Sequence, residues 1–177
     1  MVRKAKSDSL SKKAYKFRIY PSEEQKIFFA KTFGCTRFIY NQMLADKISY
    51  YKKTKGMLHN TPAQYKKKYL WLKEVDSIAL QASVENLGAG YDKYYKKTGS
   101  RPKFKSKKNE IQSYTTKLVK AKGNVNIEIV GKGIKLPKLG LVKIENSRNV
   151  DGNIKRVTVS RTQSGKYFAS ILCDVNI

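Results

Sequence analysis

The stretch from Lys96 to Lys120 carries Lys96, Lys97, Arg101, Lys103, Lys105, Lys107, Lys108, Lys117 and Lys120 against a single acid, Glu110. Phe104, Tyr114, Thr115 and Thr116 are interleaved with these cations. Positive charge at that density holds a phosphate backbone, while aromatic rings stack on bases or pack on sugars. The pattern points to nucleic-acid contact, with a solvated flexible loop as the plainer alternative. Lys66-Lys67-Lys68, followed by Tyr69 and Trp71, is a second cluster of this kind, although Tyr69, Leu70 and Trp71 also suit a core.

Catalytic constellations are harder to find. No paired carboxylates stand out as general acid and base, and most acids sit at helix starts or turns, where capping accounts for them. His59 is the only histidine and lies beside Asn60. It reads as a loop residue, and one histidine leaves no basis for a His-based metal site or an ordinary Ser-His-Asp arrangement. Cys35 and Cys173 sit in apolar surroundings without the close spacing of metal ligands, and are read as buried free thiols.

The whole chain shares this basic character. Its 177 residues include 38 Lys and Arg against 13 Asp and Glu, a formal net charge of +25. With 40% hydrophobic residues, among them 12 Tyr, 7 Phe and 1 Trp, it is too apolar for a disordered basic tail. Charge of one sign repels itself in a compact state and implies a polyanionic partner: nucleic acid, an anionic membrane or, less commonly, an acidic protein. No apolar run approaches a membrane span, and the Lys-rich start lacks the apolar stretch of a secretory signal, so a soluble intracellular chain is expected.

The elements that must position these residues follow from periodicity. Residues 1–12 are polar and unpatterned and read as a flexible basic arm. In Ala14–Ile19, Tyr15, Phe17 and Ile19 alternate with Lys16 and Arg18, the period of a strand with one basic face. Ser22-Glu23-Glu24-Gln25 predicts a capped helix that stops at Gly34, followed by a second helix over about 36–53. Thr61-Pro62 predicts a short third helix through about Leu70, and Asp76 or Ser77 caps a fourth bearing Leu80, Val84, Leu87, Tyr91 and Tyr94. Gly88 and Gly90 weaken that helix by roughly 1 kcal/mol each relative to Ala, so tertiary packing or the close approach of another backbone must account for them. Tyr50-Tyr51 and Tyr94-Tyr95 are adjacent pairs whose members point about 100° apart on a helix, leaving one of each free to reach a partner.

Beyond the connector the pattern turns to strands, near 126–130, 134–136, 141–145, 155–162 and 166–175, separated by turn sequences such as Gly131-Lys132-Gly133 and Asp151-Gly152-Asn153. In the last hairpin neither face of the partner strand is strictly polar, which favours a small closed or partly open barrel over a flat sheet. The early strand has partners only in the C-terminal half. An α+β fold is therefore expected, with a small β-barrel built from both ends of the chain (13–20 plus 121–177) and interrupted by a helical insertion (21–95) and a basic connector (96–120).

The run Lys13-Ala14-Tyr15-Lys16-Phe17-Arg18-Ile19-Tyr20-Pro21 followed by Gln25 resembles the opening of the TnpB (OrfB) proteins of bacterial insertion sequences. Further matches follow in order: Gly34 to Asn41, Trp71 to Asp76 with Ala79-Leu80-Gln81, Arg101 to Lys105, Ser113-Tyr114, Leu136 to Gly140, and Ser170 to Val175. The resemblance runs from about residue 13 to the end. It implies an RNA-guided DNA endonuclease related to the type V CRISPR effectors, which binds a transposon-end RNA and a short target-adjacent DNA motif. Its N-terminal half is a wedge-type β-barrel interrupted by a helical recognition domain. A nuclease half with three metal-binding carboxylates and a zinc finger follows.

On that resemblance this chain corresponds to the binding half alone. Asp174 belongs to the wedge and not to the catalytic set, so no catalytic or metal-binding residue is assigned, no cofactor is expected in this chain, and magnesium is expected only with the nuclease half. The implied DNA-motif readers are Gln81, Ser77, His59 and Asn60. Gln81 matches a family Gln whose amide can bond a base edge, preferably adenine. Arg101, Lys103, Lys105, Lys107, Ser113, Tyr114, Thr115, Thr116 and Lys117 are the implied contacts to nucleic-acid backbone. The implied partners are a guide RNA and double-stranded DNA with a target-adjacent motif, with no membrane, in a bacterial cytoplasm at the nucleoid. A free-standing DNA-binding regulator of an insertion sequence, or a complete small nuclease with an unrecognised site, are the alternatives.

Overall fold

One helix, α1 (Glu23–Thr54), connects the two halves of the molecule. The computed structural model describes residues 10–108, 111–145 and 148–176, so residues 1–9 of the expected arm lie outside it. At the start of α1, Ser22 Oγ accepts from the Gln25 amide at 3.2 Å and Gln25 Oε1 accepts from the Ser22 amide at 2.9 Å, closing a capping box. Glu23 and Glu24 stand at the positive end of the helix dipole and Lys52 and Lys53 at the negative end.

The helix does not stop at Gly34, contrary to expectation. The helix ends instead at Lys55, which takes the left-handed conformation of a common helix C-terminus at φ 58°. Gly34 costs the helix about 1 kcal/mol. Its flanking residues Phe33, Cys35 and Ile39 are buried, and each large apolar side chain so placed contributes about 1.5–3 kcal/mol. Burial on both sides therefore outweighs the local preference.

Strand β1 (Leu10–Tyr20) precedes α1. It begins earlier than expected, because Leu10–Lys12 pair with Asp174–Asn176 and so belong to the sheet and not to a flexible arm. After α1 come α2 (Pro62–Lys68), a 3₁₀ turn (Leu70–Glu74) and α3 (Ser77–Tyr95). The third helix thus ends two residues before Leu70. Asp76 is the cap of α3, its Oδ1 accepting from the Ile78 amide at 2.9 Å.

The strands are β2 (Gln112–Lys117), β3 (Lys120–Ala121), β4 (Asn124–Val125), β5 (Glu128–Val130), β6 (Gly133–Leu136), β7 (Gly140–Ile144), β8 (Asn153–Arg161) and β9 (Tyr167–Asn176). Seven form an antiparallel sheet in the order β2-β8-β9-β1-β7-β6-β5, and β3-β4 is a separate hairpin. The early strand does pair with the C-terminal half, lying between β9 and β7. No ladder joins the edge strands β2 and β5 among the described residues, so the expected barrel is not closed. Segment 96–120 was read as a connector without an element, yet 112–117 forms β2. Its signal was hidden because the buried positions are Tyr114 and Thr116, with no aliphatic residue.

Two cores result. Tyr15, Phe17, Ile19, Tyr114, Val157, Val159 and Ile171 meet across the sheet, joined by Phe29 and Phe33 from the first half of α1. Ile39, Met43 and Leu44 from its second half pack with Tyr65, Leu72, Leu80 and Leu87. Ser83 Oγ donates to Thr36 O at 2.8 Å and ties α3 to α1 where the cores meet. Gly34 has no neighbour closer than 3.9 Å to where a Cβ would sit. Gly34→Ala is expected to raise stability by about 0.5–1 kcal/mol, read as a higher urea midpoint at unchanged slope; a lower midpoint would show that α1 needs glycine there.

Candidate nucleic-acid interface

Side chains alternate across a strand, and directly opposed residues share a face. With Tyr15, Phe17 and Ile19 turned to the core, Lys16 and Arg18 of β1 face outward. Arg18 opposes Phe168, which opposes Ser160, which opposes Ser113. In the next row Lys16, Ser170, Thr158 and Thr115 stand side by side, and Lys117 opposes Arg156 beyond them. The outer face of four strands thus presents hydroxyls bounded by cations, with Phe168 among them. The Lys16 ammonium lies 4.8 Å and the Arg18 guanidinium 5.8 Å from the Phe168 ring centre, so cation–π contacts hold both in place.

The connector approaches this face from the helical side. Asn41 of α1 clamps it: Asn41 Nδ2 donates to Lys105 O at 2.9 Å, and the Lys105 amide donates to Asn41 Oδ1 at 2.7 Å. Farther back, Pro102 packs 3.4 Å from where a Cβ on Gly90 would stand. The close neighbour of Gly90 is thus a proline ring and not a backbone, at ordinary contact distance. Lys105 is exposed as a residue, but its ammonium sits 4.3 Å from the centre of the Tyr40 ring, and burial of that end pulls its pKa below the ordinary lysine value. Lys105, Ser113, Thr115, Arg37 and Asn86 line a cleft of about 200 Å³ between β2 and the two long helices. Lys103, Phe104 and Lys107 are exposed beside it.

Of the residues proposed for backbone contact, two are placed inward. Tyr114 packs against Phe29 and Phe33 at centroid distances of 6.1 and 5.7 Å, and burial, with Asp76 nearby, raises its pKa. The Thr116 side chain is fully buried. A partner on β2 therefore meets Ser113, Thr115 and Lys117, and not these two. Lys117 already pairs with Glu85 of α3, and Thr115 Oγ1 lies 2.9 Å from Thr158 Oγ1. Arg101 stands apart, donating to Tyr94 Oη at 3.2 Å.

Ser77 and Gln81 are both exposed on α3, one turn apart on one face. His59 is exposed in the loop after α1. Asn60 is committed elsewhere: its Nδ2 donates to Tyr65 Oη at 2.8 Å, and Tyr65 donates to Asp46 Oδ2 at 2.5 Å. It fixes the loop that carries His59. Burial first, and then Asp46, raises the Tyr65 pKa. Both cysteines are buried and free, and burial pushes the Cys35 thiol up to about 11.

The residues missed from sequence are Arg156, Ser160, Phe168 and Ser170. Alternation within β1 and within the last hairpin put these residues on strand faces, but that the faces form one surface follows only from register. Among the described residues no group of three His, Cys, Asp or Glu is placed to hold a metal ion. Among the described residues no helix is long and apolar enough to cross a membrane.

The helix-turn-helix domain model of the OrfB proteins of IS605 elements matches residues 11–56, which here form β1 and an unbroken α1. The chain is 30% identical over 166 residues to "Putative RNA-guided DNA endonuclease InsQ" of Escherichia coli (strain K12), covering 89% of this chain and 39% of that protein. It is 27% identical over 179 residues to a Streptomyces pristinaespiralis protein named "Putative RNA-guided DNA endonuclease", covering 94% and 42% respectively. It is also 33% identical over 117 residues to "Virulence protein VsdF" of Salmonella dublin, covering 56% of this chain and 97% of that protein. The chain belongs to the TnpB (OrfB) family. It spans about two fifths of the length of the first two relatives.

The depressed pKa of Lys105 has a measurable sign. Burial disfavours its ammonium, so deprotonation sets in at lower pH and more free amine is present under mildly alkaline conditions. Limited acylation followed by peptide mapping is expected to find Lys105 modified early. A bound polyanion, which stabilises the ammonium, is expected to slow that modification.

Proposed function

We propose that this chain is the guide-RNA- and DNA-motif-binding part of a TnpB-type RNA-guided DNA endonuclease, the seven-stranded sheet serving as its wedge domain and the helices 21–95 as its recognition domain. The observation that carries the reading is the outer sheet face, where Lys16, Arg18 and Arg156 border a strip of hydroxyls whose end residues Ser113 and Thr115 share a cleft with Lys105 of the clamped basic connector. Cations and short hydroxyls are the groups that hold phosphate and sugar. The face is extended enough for a backbone to lie across it.

In this reading the two halves divide the work. The sheet face and the connector hold backbone through Lys103, Lys105, Lys107, Ser113, Thr115 and Lys117. Exposed Gln81 and Ser77 on α3, with His59 on its loop, read base edges of the target-adjacent duplex. The cleavage named for the relatives is not assigned to residues of this chain, whose role is binding and positioning.

Electrophoretic titration of the purified chain with guide RNA and motif-bearing duplex tests this. Affinity should fall steeply with salt, with a log–log slope of about 0.9 per phosphate contacted. Lys103→Ala should weaken all sequences alike and lower that slope by about one. Gln81→Ala should cost about 1–3 kcal/mol on the preferred motif and little on others. Equal losses on every sequence for both variants would remove Gln81 from base reading, and a salt-independent affinity would sink the nucleic-acid assignment.

A further inference from the structure

A second cleft, of about 820 Å³, lies between the C-terminal ends of α1 and α3, away from the sheet face. Tyr51 and His59 come from one side of it and Gly88, Tyr91 and Tyr95 from the other. Tyr51 and Tyr95 are 53% and 55% exposed, unusual for rings that border a cavity. Tyr91 and Tyr95 lie near parallel, 6.1 Å apart and inclined by 26°, and Tyr94 lies 5.5 Å from Tyr95. Tyr51 and Tyr95, the more exposed members of the Tyr50-Tyr51 and Tyr94-Tyr95 pairs, thus line a common space.

The charge around these rings has one sign. Lys47, Lys52, Lys55, Lys97 and Arg101 line the cleft against Asp92 alone. Two of the cations are held on its aromatic walls, Lys55 at 5.4 Å from the Tyr51 ring centre and Arg101 at 5.4 Å from that of Tyr94. Gly88 adds an independent observation. A Cβ there would meet no atom within 4 Å, although glycine costs a helix interior about 1 kcal/mol. No packing within the fold requires glycine at this position, while a side chain would occupy the cleft.

We propose that this cleft binds an unpaired nucleobase of a single-stranded nucleic acid, the base stacking on the exposed faces of Tyr51 and Tyr95 and its phosphates lying against the surrounding cations. The inference rests on the reading of the chain as a nucleic-acid-binding module and adds a site to it. The volume suits a nucleotide-sized ligand. Flat aromatic walls accept any base, which makes the site tolerant of sequence. Bases stacked inside a duplex do not present their faces, so the cleft selects single strands.

Fluorescence anisotropy of the full chain decides the matter, using a labelled oligothymidine strand, the same strand made abasic, and a duplex. The abasic strand is expected to bind about tenfold more weakly than the base-bearing one. Gly88→Leu, which fills the cleft, and Tyr95→Ala, which removes an exposed wall, should each lower base-bearing strand affinity by a similar factor. Gly88→Leu should leave duplex affinity unchanged, which also shows that the variant is folded. Equal affinity for base-bearing and abasic strands, or strand binding unaffected by Gly88→Leu, overturns the site while duplex binding stands. Failure to bind any of the three overturns both the site and the reading beneath it, and competition by polyglutamate as effective as by the strand assigns the cleft to a protein partner instead.

Discussion

The burial of the two halves of α1 in different cores is the constraint on which the rest of this structure depends. Phe29 and Phe33 sit in the sheet core and Ile39, Met43 and Leu44 in the helical core, so the relative placement of the two halves is set by one rigid rod of about 48 Å. Gln25 Nε2 donates to Leu141 O at 2.8 Å and fixes the rod's start to β7, and Asn41 fixes the connector to its middle. Thr32 and Thr36, buried within the rod, return their hydroxyls to the carbonyls of Phe28 and Phe33. No polar group is therefore left open at the junction on their account.

The cationic surface is organised by this frame. Only four ion pairs occur among the described residues, all between exposed side chains, and such pairs contribute little to stability. Several of the other cations lie over aromatic rings, as Lys16 and Arg18 do over Phe168 and Lys105 over Tyr40. That arrangement leaves their charge available to an external anion. A net charge of +25 is a repulsive burden on the free fold, relieved when phosphates lie against it.

Much of the fold was legible from local patterns. The alternation of Tyr15, Phe17 and Ile19 announced a strand with a basic outer face, and the last hairpin was readable from its turn and its period. The capping box at Ser22 and the Asp76 cap located two helix starts. What misled was Gly34, where a local breaker was overruled by burial on both sides of it. Strand β2 escaped notice because its inward residues, Tyr114 and Thr116, looked like parts of a polar, basic run. The same burial removes those two side chains from the interface for which their types had suggested them.

The sequence by itself determined the sign of the charge, the α+β character, the joining of the two chain ends in one sheet and the family, because each is written in composition, in short-range periodicity or in an ordered series of motifs. The tertiary structure decided which residues share a surface. Register places Ser113, Ser160, Phe168 and Arg18 in one row, and helix packing gathers Tyr51, Tyr91 and Tyr95 around one cleft. Among the described residues it also left β2 and β5 without a shared ladder, where a closed or partly open barrel was expected. These outcomes depend on contacts between residues far apart in the chain, and such contacts are fixed by the summed burial of two cores and not by any local preference.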